Sequence, residues 1–125
     1  MMPKKVLIIE DNLISLQLMT YLLETAGFSI FSALDGQEGL ELAGKKPDLI
    51  ICDVHLPGVD GYQVAAALKA QPAMAETPLV AVTALAMVGD REKLLKGGFD
   101  FYISKPIEPE TFASQITALV ERVRG

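Results

Sequence analysis

The sequence predicts an α/β domain in which helices cover both faces of a mostly parallel sheet. Three observations carry that expectation. Five short β-branched or apolar runs recur, longer stretches with helical spacing lie between them, and Gly, Pro or Asp punctuates most of the changeovers. Strict strand–helix alternation favours parallel βαβ units, and a length of 125 residues suits one domain spanning 1–125.

The first strand is expected at 6–9, followed by a helix over about 13–26 with Ile14, Leu18 and Leu22 on one face, an Asp or Asn cap before it and Gly27 ending it. A second strand at 28–33 leads to a helix capped by Asp35. Gly36 and Gly39 weaken that helix, and it ends near Gly44. Lys45-Lys46-Pro47-Asp48 then marks entry to a third strand at 49–52. A third helix over roughly 61–70, a linker over 71–78 and a fourth strand at 79–83 follow. The fourth helix is placed at about 88–96, before Gly97-Gly98 and a fifth strand at 101–104. Phe112, Ile116, Leu119, Val120 and Val123 form the stripe of a fifth helix. Pro109 suits its first turn, where a missing N–H costs nothing, and Glu108 and Glu110 complement the positive end of its dipole.

Composition narrows the function. Half the residues are hydrophobic, enough for a core burying roughly two-thirds of the unfolded surface. Eleven Lys and Arg against sixteen Asp and Glu give a net charge of −5, which attracts neither a phosphate backbone nor an anionic lipid surface. Direct nucleic-acid or membrane binding is therefore not expected. The one cysteine, Cys52, lies in an apolar run and reads as a buried, inert thiol. The first apolar run spans only 6–9, too short for a signal-peptide core, and no window approaches the roughly 18 apolar residues of a membrane span. A cytoplasmic protein is expected.

The unusual polar residues fall at the carboxyl ends of the predicted strands. Glu10 and Asp11 follow the first, Asp53 the third, Thr83 ends the fourth, and Lys105 follows the fifth. In open α/β sheets ligands bind at that edge, in the crevice where strand order reverses. An isolated Asp there is more simply a helix cap. Lys105 and Thr83 have no capping role, however, and Lys105 precedes Pro106, in a dipeptide to which the cis form is accessible. Unit charges of like sign repel by about 4 kcal/mol per pair at roughly 4 Å and an effective dielectric of about 20. Three carboxylates at one mouth therefore call for a hard divalent cation. Mg²⁺ takes one or two carboxylates and keeps positions for water and a phosphate oxygen. One carboxylate can then attack phosphorus to form an acyl phosphate. Lys105 and Thr83 would hold the phosphoryl oxygens by charge and by hydrogen bond.

Val6-Leu7-Ile8-Ile9-Glu10-Asp11-Asn12, the run from Asp48 through Cys52-Asp53-Val54-His55-Leu56-Pro57-Gly58 to Gly61, Val82-Thr83-Ala84 and Ser104-Lys105-Pro106 resemble the receiver domain of bacterial response regulators. Each motif alone is weak; four in this order, over nearly the whole chain, are specific. The resemblance implies a CheY-like, flavodoxin-like sheet of order 2-1-3-4-5 with five helices. It implies Asp53 as phosphoacceptor and Glu10 and Asp11 as an acid pair. Mg²⁺ would be held by Asp11, Asp53 and the backbone carbonyl of His55, with Glu10 acting through a water on the ion. It further implies a two-state switch in which Thr83 turns toward the phosphoryl group and Tyr102 swings inward. Phe99 and Phe101 compete with Tyr102 for that part. The phosphoryl donor would be a histidine kinase or histidine phosphotransfer protein, and output would pass by contact to a protein target. Residues 82–91 and 101–107 look like those of DivK-type single-domain regulators and of hybrid histidine kinase receivers. A stand-alone relay protein is favoured over a receiver belonging to a hybrid kinase or longer regulator.

Other readings of the same residues are plainer. His55 either tunes the lifetime of the acyl phosphate or points to solvent. Tyr102 is a switch or an edge aromatic, and Met87 and Val88 are packing residues or part of a partner surface. Gly58 and Gly61 supply turn conformations rather than a phosphate cradle. A haloacid-dehalogenase-type phosphohydrolase needs a second Asp two positions after its nucleophile, where this chain has His55. A flavodoxin-like cofactor binder needs a Ser-, Thr- and Gly-rich phosphate loop where this chain has Glu10-Asp11-Asn12. A degenerate receiver that only scaffolds its partners would not retain all five polar residues.

Overall fold

The structure is a computed structural model that describes residues 3–84 and 89–124, with side chains through residue 121. Its strands are β1 (Lys5–Ile9), β2 (Ser29–Ala33), β3 (Leu49–Asp53), β4 (Leu79–Thr83) and β5 (Phe101–Ser104). Its helices are α1 (Leu13–Thr25), α2 (Gly36–Leu42), α3 (Gly61–Lys69), α4 (Asp90–Lys96) and α5 (Phe112–Arg124). All strand pairs are parallel, in the order β2-β1-β3-β4-β5. This is the doubly wound sheet predicted, and its order reverses between β1 and β3.

The central strands β1, β3 and β4 are apolar along almost their whole length because both of their faces are covered. Alternation sends Leu7, Ile9, Ile50, Cys52, Leu79 and Ala81 to one face, against Val64, Ala65 and Leu68 of α3 and Leu94 of α4. Val6, Ile8, Leu49, Ile51, Val80 and Val82 go to the other, against Leu16, Met19 and Leu23 of α1 and Phe112, Ile116 and Val120 of α5.

Helix ends follow local chemistry. Asn12 caps α1 through Oδ1, which accepts the Ser15 N–H at 2.9 Å, and Asp35 caps α2 in the same way. Asp60 and Gln63 form a reciprocal capping box at the start of α3.

Three expectations need correction. The buried stripe of α1 is Leu16, Met19 and Leu23, while Ile14 is 80% exposed. Ile14, Leu18 and Leu22 obey helical spacing, but α1 is apolar around much of its circumference, so periodicity alone does not choose the inward stripe. The second helix tightens at Leu42 into a 3-10 turn, Ala43–Lys45, closed by Lys46 at φ 57°. Pro109 lies in a turn ahead of α5, in which the Glu108 carbonyl accepts from Thr111 and Phe112. The predicted start of the fourth helix at Val88 lies outside the described residues.

At the opposite end of the sheet Asp100 joins three segments. Its Oδ2 accepts the Leu79 N–H at 2.8 Å and the Lys69 ammonium at 3.0 Å, while the Asp100 N–H donates to the Leu79 carbonyl at 2.8 Å. Asp100→Ala is expected to lower stability by about 1–3 kcal/mol, because it orphans a partly buried N–H. Asp100→Asn keeps an acceptor there and loses only an exposed ion pair, so it should cost less than about 1 kcal/mol. Urea denaturation of the two variants checks the order.

Candidate functional site

The topology gathers the predicted residues at one rim. Glu10 and Asp11 leave β1, and Asp53 ends β3 beside it, across the crevice where strand order reverses. The Glu10 N–H donates to the Ala33 carbonyl at 3.0 Å, and the Lys105 N–H to the Thr83 carbonyl at 2.8 Å. Both residues thus continue their strands' ladders and are held by backbone as well as by side chain. The Lys105–Pro106 peptide is cis.

Lys105 Nζ lies 2.7 Å from Glu10 Oε1 and 3.0 Å from Asp53 Oδ2. Asp53 Oδ1 accepts the His55 N–H at 3.0 Å, and Glu10 Oε2 accepts the Asn12 N–H at 3.2 Å. Carboxylate oxygens of Glu10, Asp11 and Asp53 all lie within 4.8 Å of one another. Glu10 is fully buried, Asp53 and Thr83 are nearly so, and Asp11 is exposed at the mouth. The plain reading of these acids as helix caps fails, since Asn12 caps α1 and Asp60 caps α3.

Burial, together with the adjacent Asp53 carboxyl, raises Glu10 to about 7, against the opposing pull of Lys105 and the Asn12 N–H. Burial by itself would lower Lys105, but its two carboxylate partners outweigh it and raise the ammonium. Cys52 is fully buried, and burial with the neighbouring Asp53 charge drives its thiol far above the ordinary range. The inert reading of Cys52 holds.

The donor set fits a hard divalent cation. Every side chain in it, Glu10, Asp11 and Asp53, offers a hard carboxylate oxygen. Glu10 Oε1 is buried and, although close to Lys105, receives no well-directed hydrogen bond.

His55 is exposed, with only its backbone tied to Asp53. Tyr102 is 41% exposed on β5 and has Ser104, which pairs with Thr83 in register, on its own side of the strand. Phe99 is 2% exposed with its ring in a T-shaped contact with Tyr62, and Phe101 packs into the α1 and α5 side of the core. Both are engaged in the core. Met87 and Val88 lie outside the described residues.

Gly58, at φ 72°, supplies a turn as expected. Gly61 does something different: a Cβ there would fall 2.6 Å from the Asp53 carbonyl oxygen and from Val54 Cα, so glycine lets α3 start against the strand end. Nothing in local sequence distinguishes a glycine needed for approach from one needed for a turn.

Because Glu10 ionises at higher pH in the folded chain than in the unfolded one, its contribution to stability is complete below about 4.5 and is lost as pH rises through about 7. Glu10→Gln is therefore expected to stabilise the metal-free protein by on the order of 2 kcal/mol at pH 8.5, falling toward zero at pH 4. Denaturant midpoints taken in a chelating buffer across that range would show it.

Comparison with known proteins agrees with this geometry. The sequence profile of the response regulator receiver domain matches residues 6–117. The chain is 42% identical over 116 residues to the polar-differentiation response regulator DivK of Brucella anthropi, covering 92% of this chain and 94% of that protein. The chemotaxis protein CheY4 of Vibrio cholerae superposes with a TM-score of 0.87 at 28% identity, over 93% of this chain and 98% of that one. The receiver domain of the sensor histidine kinase PA1611 of Pseudomonas aeruginosa, solved with a magnesium ion coordinated in its active site cleft, gives a TM-score of 0.84 at 27% identity, over 98% and 99%. The chain belongs to the response regulator receiver domain family, the phosphoacceptor signalling domains of two-component systems.

Proposed function

We propose that this chain, as one receiver domain over 1–125, takes a phosphoryl group from a phosphohistidine onto Asp53 and signals through the resulting change in its surface. The observation that carries the reading is the Lys105 ammonium set between Glu10 Oε1 and Asp53 Oδ2. That is where a group with charged oxygens would meet a fixed cation. An Asp53 carboxylate oxygen attacks phosphorus, the P–O bond forms as the P–N bond breaks, and the donor imidazole leaves with the electron pair. Asp11, Asp53 and the His55 backbone carbonyl would hold Mg²⁺, with Glu10 beside it. The ion supplies neutralising charge for the transferring oxygens. Lys105 orients the phosphoryl oxygens, and the Thr83 hydroxyl turns to hydrogen-bond one of them. The half-exposed Tyr102 then moves inward on the same side of β5 as Ser104.

The donor is a histidine kinase or histidine phosphotransfer protein, and the output is a protein contact rather than nucleic acid or a lipid surface. No helix among the described residues is long and apolar enough to cross a membrane. A cytoplasmic location fits the acidic charge and the buried thiol. The switch also resets itself by slow hydrolysis of its acyl phosphate. His55, exposed and lining the same cavity as Thr83, tunes that rate.

Asp53→Asn is expected to abolish incorporation from labelled phosphohistidine donor, and incorporation at wild-type stoichiometry would refute the assignment. Lys105→Ala should still take up label while the spectral response to phosphorylation shrinks several-fold. For His55→Asn the expected result is a phosphoryl half-life changed by about threefold or more. Matching decay curves would remove His55 from the mechanism.

A further inference from the structure

Tyr62 has no part in the chemistry above, yet it ties the site to α4. It is the second residue of α3. Gly61 before it donates its N–H to the Val54 carbonyl at 3.0 Å and sits against the Asp53 backbone, so the Tyr62 main chain is held at a set offset from the strand end that bears Asp53. The ring reaches across to α4. It makes a T-shaped pair with buried Phe99, with centroids 6.0 Å apart and planes at 77°, and the Lys93 ammonium lies 5.2 Å from its centroid. Gly97 closes on it most tightly. A Cβ at 97 would fall 2.7 Å from Tyr62 Cδ1. With φ at −76°, glycine is there to leave room for the ring rather than to reach a special conformation.

The other end of α4 is packed differently. Asp90, Lys93 and Leu94 face Val54, His55, Tyr62 and Thr83 across a cavity of about 50 Å³, more than the roughly 10–15 Å³ that one water needs. Lys93 and the Tyr62 ring border that gap as well, so close packing at Gly97 and Phe99 and the space beside Asp90 meet at the ring, which makes the helix a lever with a defined fulcrum.

We propose that Tyr62 is the pivot of α4: it pins the Gly97–Phe99 end to the strand end carrying Asp53, so that rearrangement coupled to the site swings the Asp90–Lys93 turn across the cavity beside Thr83. The trigger rests on the phosphoacceptor reading; the pin does not. Tyr62 is thus a positioning residue, acting through α4.

The test is amide hydrogen exchange by NMR on the full chain, without ligand and with Mg²⁺ plus beryllofluoride. The Lys93 N–H, bonded to the Gly89 carbonyl, reports the first turn. The Gly97, Gly98 and Phe99 N–H groups, bonded to the carbonyls of Lys93, Leu95 and Leu94, report the pinned end. In the ligand-free wild type the pinned amides should exchange about tenfold or more slowly than that of Lys93. Beryllofluoride should change Lys93 by about tenfold while leaving the other three within about threefold. Tyr62→Leu should erase both contrasts and Tyr62→Phe, which keeps the ring, should restore them. Equal exchange at both ends of the wild type, or a Tyr62→Leu pattern matching wild type, overturns the pivot. Should Tyr62→Leu fail to fold, Gly97→Ala intrudes on the ring from the other side and should release the same amides; their unchanged protection would equally overturn it. Absence of a bound-fluoride ¹⁹F resonance would count against the phosphoacceptor reading and with it the trigger, and the ligand-free comparison would still decide the pin.

Discussion

The Lys105 ammonium between Glu10 and Asp53 is the contact on which this molecule turns. Two carboxylates buried side by side at the carboxyl edge of a sheet repel each other in surroundings that screen them poorly. A single cation 2.7 Å and 3.0 Å from them holds the cluster together. It is itself anchored because its own N–H extends the β4–β5 ladder through the Thr83 carbonyl. The arrangement depends on the strand order, since only a sheet with β1 and β3 adjacent and β4 and β5 beyond them brings residues 10, 53 and 105 to one point.

The capping pattern clears the site. Helices following β1 and β3 both need an acceptor for their first N–H groups, and Asn12 and Asp60 meet that need one and seven residues beyond the acids. Asp11 and Asp53 are left for other work. Gly61 serves the same end from below, because without a Cβ it lets α3 begin against the backbone of Asp53. The surrounding core is conventional in its energetics. Two apolar layers, one on each face of the sheet, supply the burial, which leaves the rim to be polar and electrostatically crowded.

Around this centre the packing is uneven in a way that bears on signalling. Tyr62 joins α3 to the far end of α4, while the near end of α4 borders a cavity of about 50 Å³ that Thr83 and His55 also line. Packed cores change between discrete arrangements rather than deforming continuously, so a small shift at a reacting group can become a larger movement of a surface.

Much of this was legible in the residues themselves. Runs such as 6–9, 49–52 and 79–83 are apolar because central parallel strands are buried on both faces, and that pattern survives without knowledge of the fold. Glu10, Asp11, Asp53, Thr83 and Lys105 could be placed on one edge once strands and helices alternated. Three-dimensional contacts decided the rest. The inward face of α1 was chosen by what β1 and α5 present to it, so Leu16 and Met19 are buried and Ile14 is not. The start of α5 moved past Pro109 because the Glu108 carbonyl closes a turn first. The reasons for glycine at 61 and 97 lie in atoms brought from elsewhere in the chain, the Asp53 backbone and the Tyr62 ring. Periodicity and charge report which residues seek burial or each other; which neighbour each one meets is a matter of packing, and a linear pattern does not encode it.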